Sequence, residues 1–132
     1  LRPCDANEVA EAWKLALRQT AHPVALVLTR QAVPTLDRTK YAPASGLERG
    51  AYILADSGGE PQVILIGTGS EVSLCVSAYE KLVAEGIKAR VVSMPSMTLF
   101  ESYCEANPGY REEVLPSKVT ARVSVEMGTT MG

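Results

Sequence analysis

Four short apolar runs, Val24 to Thr29, Gln62 to Ile66, Ala89 to Val92 and Ala121 to Val125, alternate along the chain with stretches whose apolar residues recur every three or four positions. No other feature narrows the fold so much. Short runs rich in Val and Ile, bounded by Gly and Pro, suit strands, whereas the three-to-four spacing suits one buried helix stripe. The alternation predicts an α/β fold: a mostly parallel sheet with one antiparallel strand and helices on both faces.

The individual elements follow from local chemistry. Asp5 with Glu8 three residues later has the form of a capping box, and Val9, Ala12, Trp13, Ala16 and Leu17 give the helix behind it one apolar face. His22-Pro23 ends that helix. Val24 to Thr29 reads as a strand buried on both faces of a parallel sheet. From Gln31 to Arg49 the pattern lapses among Pro34, Pro43, Gly46 and scattered charges, which reads as a connecting stretch. Ala51 to Ala55 and Gln62 to Ile66 are strands separated by the turn-forming Asp56-Ser57-Gly58-Gly59, and so tight a connection predicts that the two pair antiparallel. Thr68 and Glu71 stand in capping-box positions before a helix with Val72, Cys75, Val76, Tyr79, Leu82 and Val83 on its apolar face and Gly86 as its stop. Met97 to Glu105 reads as a short helix halted before Pro108, and Tyr110 to Leu115 as another turn of helix.

The totals exclude several classes of function. Thirteen Lys and Arg against fifteen Asp and Glu give a net charge of -2, and no basic stripe for a nucleic-acid backbone appears. The apolar runs are far too short to span a bilayer. Cys4, Cys75 and Cys104 fit no metal or redox spacing and read as reduced thiols of a cytosol-like compartment. The start at Leu1 without Met, and the stop at Gly132 just after a strand pattern, read as cut ends and predict a piece of a longer protein.

Ligands of open α/β sheets collect beyond the carboxyl ends of the strands. Four segments are expected there: Thr29 to Gln31, Gly67 to Ser70, Ser93 to Ser96, and Glu126 to Thr129. Arg30 is the leading candidate, a permanent cation after a buried strand whose planar fork suits a phosphate. The glycines of Gly67 to Ser70 would let backbone N–H groups approach an anion, but the loop lacks a dinucleotide fingerprint and a P-loop Lys, so a turn and helix cap accounts for it. His22 is the single histidine and reads as a helix-end residue; one His builds no multi-His metal site. Glu126 reads as a structural acceptor for the Gly128-Thr129-Thr130 turn. Trp13 and the cysteines read as core. These residues contain no catalytic constellation.

Taken together, longer stretches become specific. RPCDANEVAEAWKLAL followed by PVALVLTRQAVPTLD resembles the end of the pyrimidine-binding domain of transketolases. ERGAYILAD, VILIGTGSEVSLCVSAYEKLVAEGIKARVVSMPSMTLFE, YREEVLP and VTARVSVEMG resemble that family's carboxyl-terminal domain, in its order and spacing. The resemblance implies residues 1–35 as the last helix and strand of the pyrimidine-binding domain, 36–48 as a linker, and 49–132 as a truncated carboxyl-terminal domain. It implies transfer of a two-carbon ketol unit between sugar phosphates, in the pentose phosphate pathway, by a homodimer using thiamine diphosphate and magnesium. Arg30 matches the arginine of the TRQ motif that holds the substrate phosphate.

The family's magnesium ligands, its aminopyrimidine-protonating glutamate, its ring-stacking aromatics and its substrate histidines match positions upstream of this chain. The resemblance therefore implies no bound cofactor, no catalytic residue and no activity for these 132 residues alone, and a cytoplasmic or, in a plant or alga, plastid location. Cys4 stands where the family often has Ala. Two alternatives stay open: a related thiamine enzyme such as dihydroxyacetone synthase or deoxyxylulose phosphate synthase, and a non-catalytic binding or dimerisation module using the Gly67 to Ser70 loop.

Overall fold

A computed structural model describes residues 1–128. Helix α1 spans Ala6–Arg18, strand β1 Tyr52–Asp56, β2 Val63–Gly67, helix α2 Val72–Ala84, strand β3 Ala89–Ser93, helices α3 Met97–Ala106 and α4 Tyr110–Val114, and strand β4 Arg122–Val125. The four strands form one sheet in the order β1-β3-β2-β4, with β2 parallel to both β3 and β4 and β1 antiparallel to β3. The expected α/β class with one antiparallel strand is the observed one.

Side chains alternate across the central strands, so each strand feeds two cores. Leu65 and Val91 face Val72, Cys75 and Val76 of α2, with Tyr41, Tyr52 and Leu54 completing that layer. Ile64 and Val92 face the opposite way, onto Phe100 of α3, Tyr110 and Val114 of α4, and Val119. Tyr110 and Phe100 meet edge to face at 6.1 Å, and the Tyr110 hydroxyl donates to the Ala51 carbonyl at 2.8 Å. Gly86, at φ +80°, closes α2: its amide bonds to Val83 and that of Ile87 to Leu82, which satisfies the last carbonyls. Gly50, at φ +78°, lies against the start of α3, where an added Cβ would come within 2.1 Å of the Phe100 nitrogen.

Four expectations need correction. First, β1 and β2 do not form a hairpin. Strand β3, joined to β2 through α2 as a parallel crossover, takes the place between them. The connection wraps the start of β3: Ser57 and Gln62 donate backbone bonds to Ala89 and Lys88, and the Gln62 side chain accepts from Lys88 N. Second, Val24 to Thr29 is not a regular strand. The Val27 amide donates to Leu1 O at 2.9 Å, and the Leu1 nitrogen to Ala25 O at 2.8 Å. No further strand flanks the segment among the described residues, and Val27 and Leu28 are half exposed. A strand is stabilised by its neighbours, and among the described residues the backbone bonds of this one run to Leu1.

Third, no capping box precedes α2. A 3₁₀ turn, Gly69–Glu71, intervenes, Thr68 makes no side-chain cap, and the Glu71 carboxylate is engaged by Arg2. Fourth, Trp13 and Leu17 lie outside the core, with Trp13 53% exposed. The segment 36–48 is well ordered against the rest: Tyr41 joins the first core, Leu36 and Ala42 pack on it, and Leu47 in the 3₁₀ turn Ala44–Arg49 is fully buried.

Candidate functional site

The carboxyl ends of β2, β3 and β4 open into a cleft of about 520 Å³. Gly67 and Thr68, Met94 to Ser96, and Glu126 line it, so three of the four expected strand-end segments do meet. Its walls are mainly apolar, with Phe100, Met97 and Leu115 opposite Ile66 and Val125. Of its charges, Arg111 pairs with Glu101 at the rim and Arg2 with Glu71 at 3.1 Å, while Glu126 is in none of the ion pairs found among the described residues. Thr129 and Thr130 lie outside the described residues.

Beside this cleft a smaller crevice of about 160 Å³ brings Thr29 and Gln31 opposite Gly69, Ser70 and Glu71. The fourth expected segment thus reaches the same end of the sheet. Arg2 lines both spaces. Its backbone amide donates to Pro95 O at 2.8 Å and its carbonyl accepts from Gly69 N at 3.0 Å, so residues 1–3 are stitched to the tips of β2 and β3. The Glu71 carboxylate takes both the Arg2 guanidinium and the Ser70 hydroxyl, the latter at 2.6 Å. Gly69 has φ +61°, and an added Cβ would lie 3.3 Å from that guanidinium. The loop is therefore filled by the chain's own arginine, in agreement with a structural reading of its glycines.

Arg30 is exposed and takes part in none of the ion pairs found among the described residues. Its neighbours Thr29 and Gln31 line the crevice, and the Gln31 amide donates to Thr29 Oγ1 at 3.1 Å, which turns the chain there. His22 is exposed, four residues beyond the last residue of α1. Glu126 is exposed at the cleft. Burial pushes the Cys75 thiol up to about 11 and raises that of Cys4 further, aided by the carboxylate of Glu8, so both are thiols at neutral pH. Among the described residues no group of three or more His, Cys, Asp or Glu gathers to hold a metal.

The most demanding chemistry lies under α1. Glu8 is 0% exposed and Asp5 2%. Glu8 Oε1 accepts from the Tyr52 hydroxyl and the Ser93 hydroxyl, each at 2.7 Å, while Oε2 accepts from Cys4 N at 2.8 Å. Asp5 caps α1 through Glu8 N at 2.9 Å and also accepts from Leu36 N and from the Arg38 guanidinium. The Arg38 guanidinium meets Asp5 directly and Glu8 only through the Tyr52 hydroxyl, so hydroxyl and amide donors satisfy the Glu8 side chain. Arg38 reaches on to Ala42 O and the Tyr52 hydroxyl, leaving its buried Nε without a partner. Burial and the Glu8 carboxylate hold the Tyr52 hydroxyl protonated far above its usual range.

The capping pattern correctly announced Asp5 and Glu8 as a helix start, but carried no sign that Glu8 meets Ser93, 85 positions away. Arg2 carries no local signal in the sequence, for its value lies only in where the fold brings it.

Residues 50–132 match the family model of the transketolase-like C-terminal domain. The whole chain is 50% identical to the transketolase of Aquifex aeolicus, and 96% of it is 52% identical to transketolase 1 of Escherichia coli. It spans about a fifth (19%) of each of these curated relatives. Among solved structures, the Leishmania mexicana transketolase superposes at TM-score 0.82 with 34% identity, over 96% of this chain and 18% of that one. A Pichia stipitis transketolase in complex with sedoheptulose 7-phosphate superposes at 0.83 with 38% identity, over 99% of this chain and 18% of that one. A sheet ordered β1-β3-β2-β4, strand ends gathered around one cleft, and half-identity along the whole length place this chain in the transketolase family.

Proposed function

We propose that this chain forms the carboxyl-terminal part of a transketolase, which moves a two-carbon ketol unit from a ketose phosphate to an aldose phosphate, and that Arg30 holds the sugar phosphate. The observation that carries this reading is the half-identity along all 132 residues, a span that contains Thr29-Arg30-Gln31. An exposed guanidinium, next to residues that line a crevice at the strand ends, supports it. A sugar phosphate in one family member's structure supports it as well. In the whole enzyme, thiamine diphosphate would supply the carbanion chemistry and magnesium would hold its diphosphate. This chain's share is to orient the substrate through Arg30.

Residues 1–35 then close the pyrimidine-binding domain, 36–48 join it to the next, and the family match from residue 50 supports that division. Trp13, Leu17, Val27 and Leu28 are all exposed within the first of these, which marks a face that the rest of a longer, dimeric protein covers. No helix among the described residues is long and apolar enough to cross a membrane; the proposed location is the cytoplasm or a plastid. The purified 132-residue chain should show no ketol transfer from xylulose 5-phosphate to ribose 5-phosphate, and turnover by it would overturn the assignment of catalysis to other residues. In the full-length protein, Arg30→Ala should raise KM for phosphorylated sugars roughly ten-fold or more while changing kcat less, because charged hydrogen bonds contribute about 1.5–3 kcal/mol each. An equal loss with a phosphate-free acceptor would remove Arg30 from the phosphate site.

A further inference from the structure

We propose that Glu8 is a positioning residue: through it the sheet of residues 52–125 fixes where the 24–31 segment, and hence Arg30, is held. The inference rests on the reading of Arg30 as the phosphate grip. The path is continuous. Ser93 ends β3 and Tyr52 begins β1, two neighbouring strands whose register pairs these very residues. Both hydroxyls converge on Glu8 Oε1, while Oε2 holds Cys4 N, so one carboxylate joins the sheet to the segment entering α1. Ahead of Cys4, Arg2 bonds to the tips of β2 and β3 through Gly69 and Pro95. Leu1 then brackets Leu26 by its bonds to Ala25 and Val27. Arg30 follows three residues after Val27.

A buried carboxylate suits this task better than an apolar side chain. Hydrocarbon contacts tolerate sliding, whereas three hydrogen bonds to one planar group fix both distance and direction. Glu8 is sealed from solvent and lines neither the cleft nor the crevice at the strand ends, so it is placed to position rather than to touch substrate.

The test uses the full-length protein with Tyr52→Phe, Ser93→Ala and the double variant, which strip donors from Glu8 without leaving a large cavity; Glu8→Gln, which keeps the shape, is the fourth. The expected result for the double variant is a KM for phosphorylated acceptor raised about three- to ten-fold, kcat within about two-fold, and an unchanged KM for glycolaldehyde, which carries no phosphate. Deuterium uptake in peptides covering 24–31 should quicken about ten-fold or more. Equal changes for both acceptors, or unchanged exchange in 24–31, overturn the proposal. Arg30→Ala separates the two claims. If that change leaves KM for phosphorylated sugars alone, the phosphate reading fails, while the exchange data still decide whether Glu8 couples the sheet to the segment.

Discussion

Residues 50–125 and residues 1–31 are held in place by opposite means. The first region is a layered α/β unit whose stability comes from Leu65, Val91, Ile64 and Val92 buried between helices on two sides. The second has few fully buried apolar side chains (Cys4 and Ala12 are the main ones) and shows Trp13, Leu17, Val27 and Leu28 to solvent. It is anchored at its base by charge: Asp5 on Arg38, and Glu8 on Tyr52 and Ser93. A region attached by apolar contact alone gains affinity but little directional precision, and a region attached by buried charges gains direction at the expense of desolvation. The difference suits a scaffold that must hold a neighbour at a set angle.

The sharpest way to break the contrast is Asp5→Ala. It removes the helix cap and leaves the Arg38 guanidinium largely buried without its counter-charge, which should cost about 3 kcal/mol or more in urea unfolding. A loss below about 1 kcal/mol would mean that apolar contacts hold α1 after all. Within the layered unit, Gly50→Ala should cost about 2–3 kcal/mol. It places a Cβ at positive φ and within 2.6 Å of both the Ser96 and Leu99 backbone, so the start of α3 must move. Thermal melts of the purified chain measure it.

A third test is alkaline. Tyr52 is protonated in the folded state well above the value near 10 that it has when unfolded, so its contribution is complete below about pH 10. Above that, the unfolded chain releases the proton first, and stability falls by up to about 1.4 kcal/mol per pH unit for this one group. Tyr52→Phe should flatten the fall between about pH 10 and 11 by about 1 kcal/mol, although Tyr41, Tyr79 and Tyr110 are raised in the same direction and will preserve part of the slope. An unaltered slope would place Tyr52 in contact with water. The smallest effect belongs to the exposed face: Leu17→Ser should change the stability of the isolated chain by less than about 0.5 kcal/mol.

The sheet's strands and α2 to α4 were readable because their signals are local. Val72, Cys75 and Val76 announce a buried stripe on α2, and Gly86 its end, without reference to anything distant. The order of strands was not readable in the same way. Asp56 to Gly59 has the composition of a hairpin turn, yet the pairing of β1 depended on the apolar edge that β3 offers, a competition between strands that no short window contains. Val24 to Thr29 failed for the converse reason: its composition is that of an interior strand, but composition does not supply a neighbour. Arg30 is marked in the sequence by its place after an apolar run and by its motif. Arg2 is not, since an arginine near a proline carries no local mark of the two strand tips it bridges.

The span from Glu8 to Ser93 also sets an order of events during synthesis. Ribosomes add roughly 5–20 residues per second, so this carboxylate waits several seconds, fully hydrated, before the serine it will meet has even been made. β2, α2 and β3 lie within 31 consecutive positions and can close on themselves as soon as that serine is made. Helix α1 therefore cannot complete its docking, nor its acidic end shed all of its water, until the end of β3 has been made.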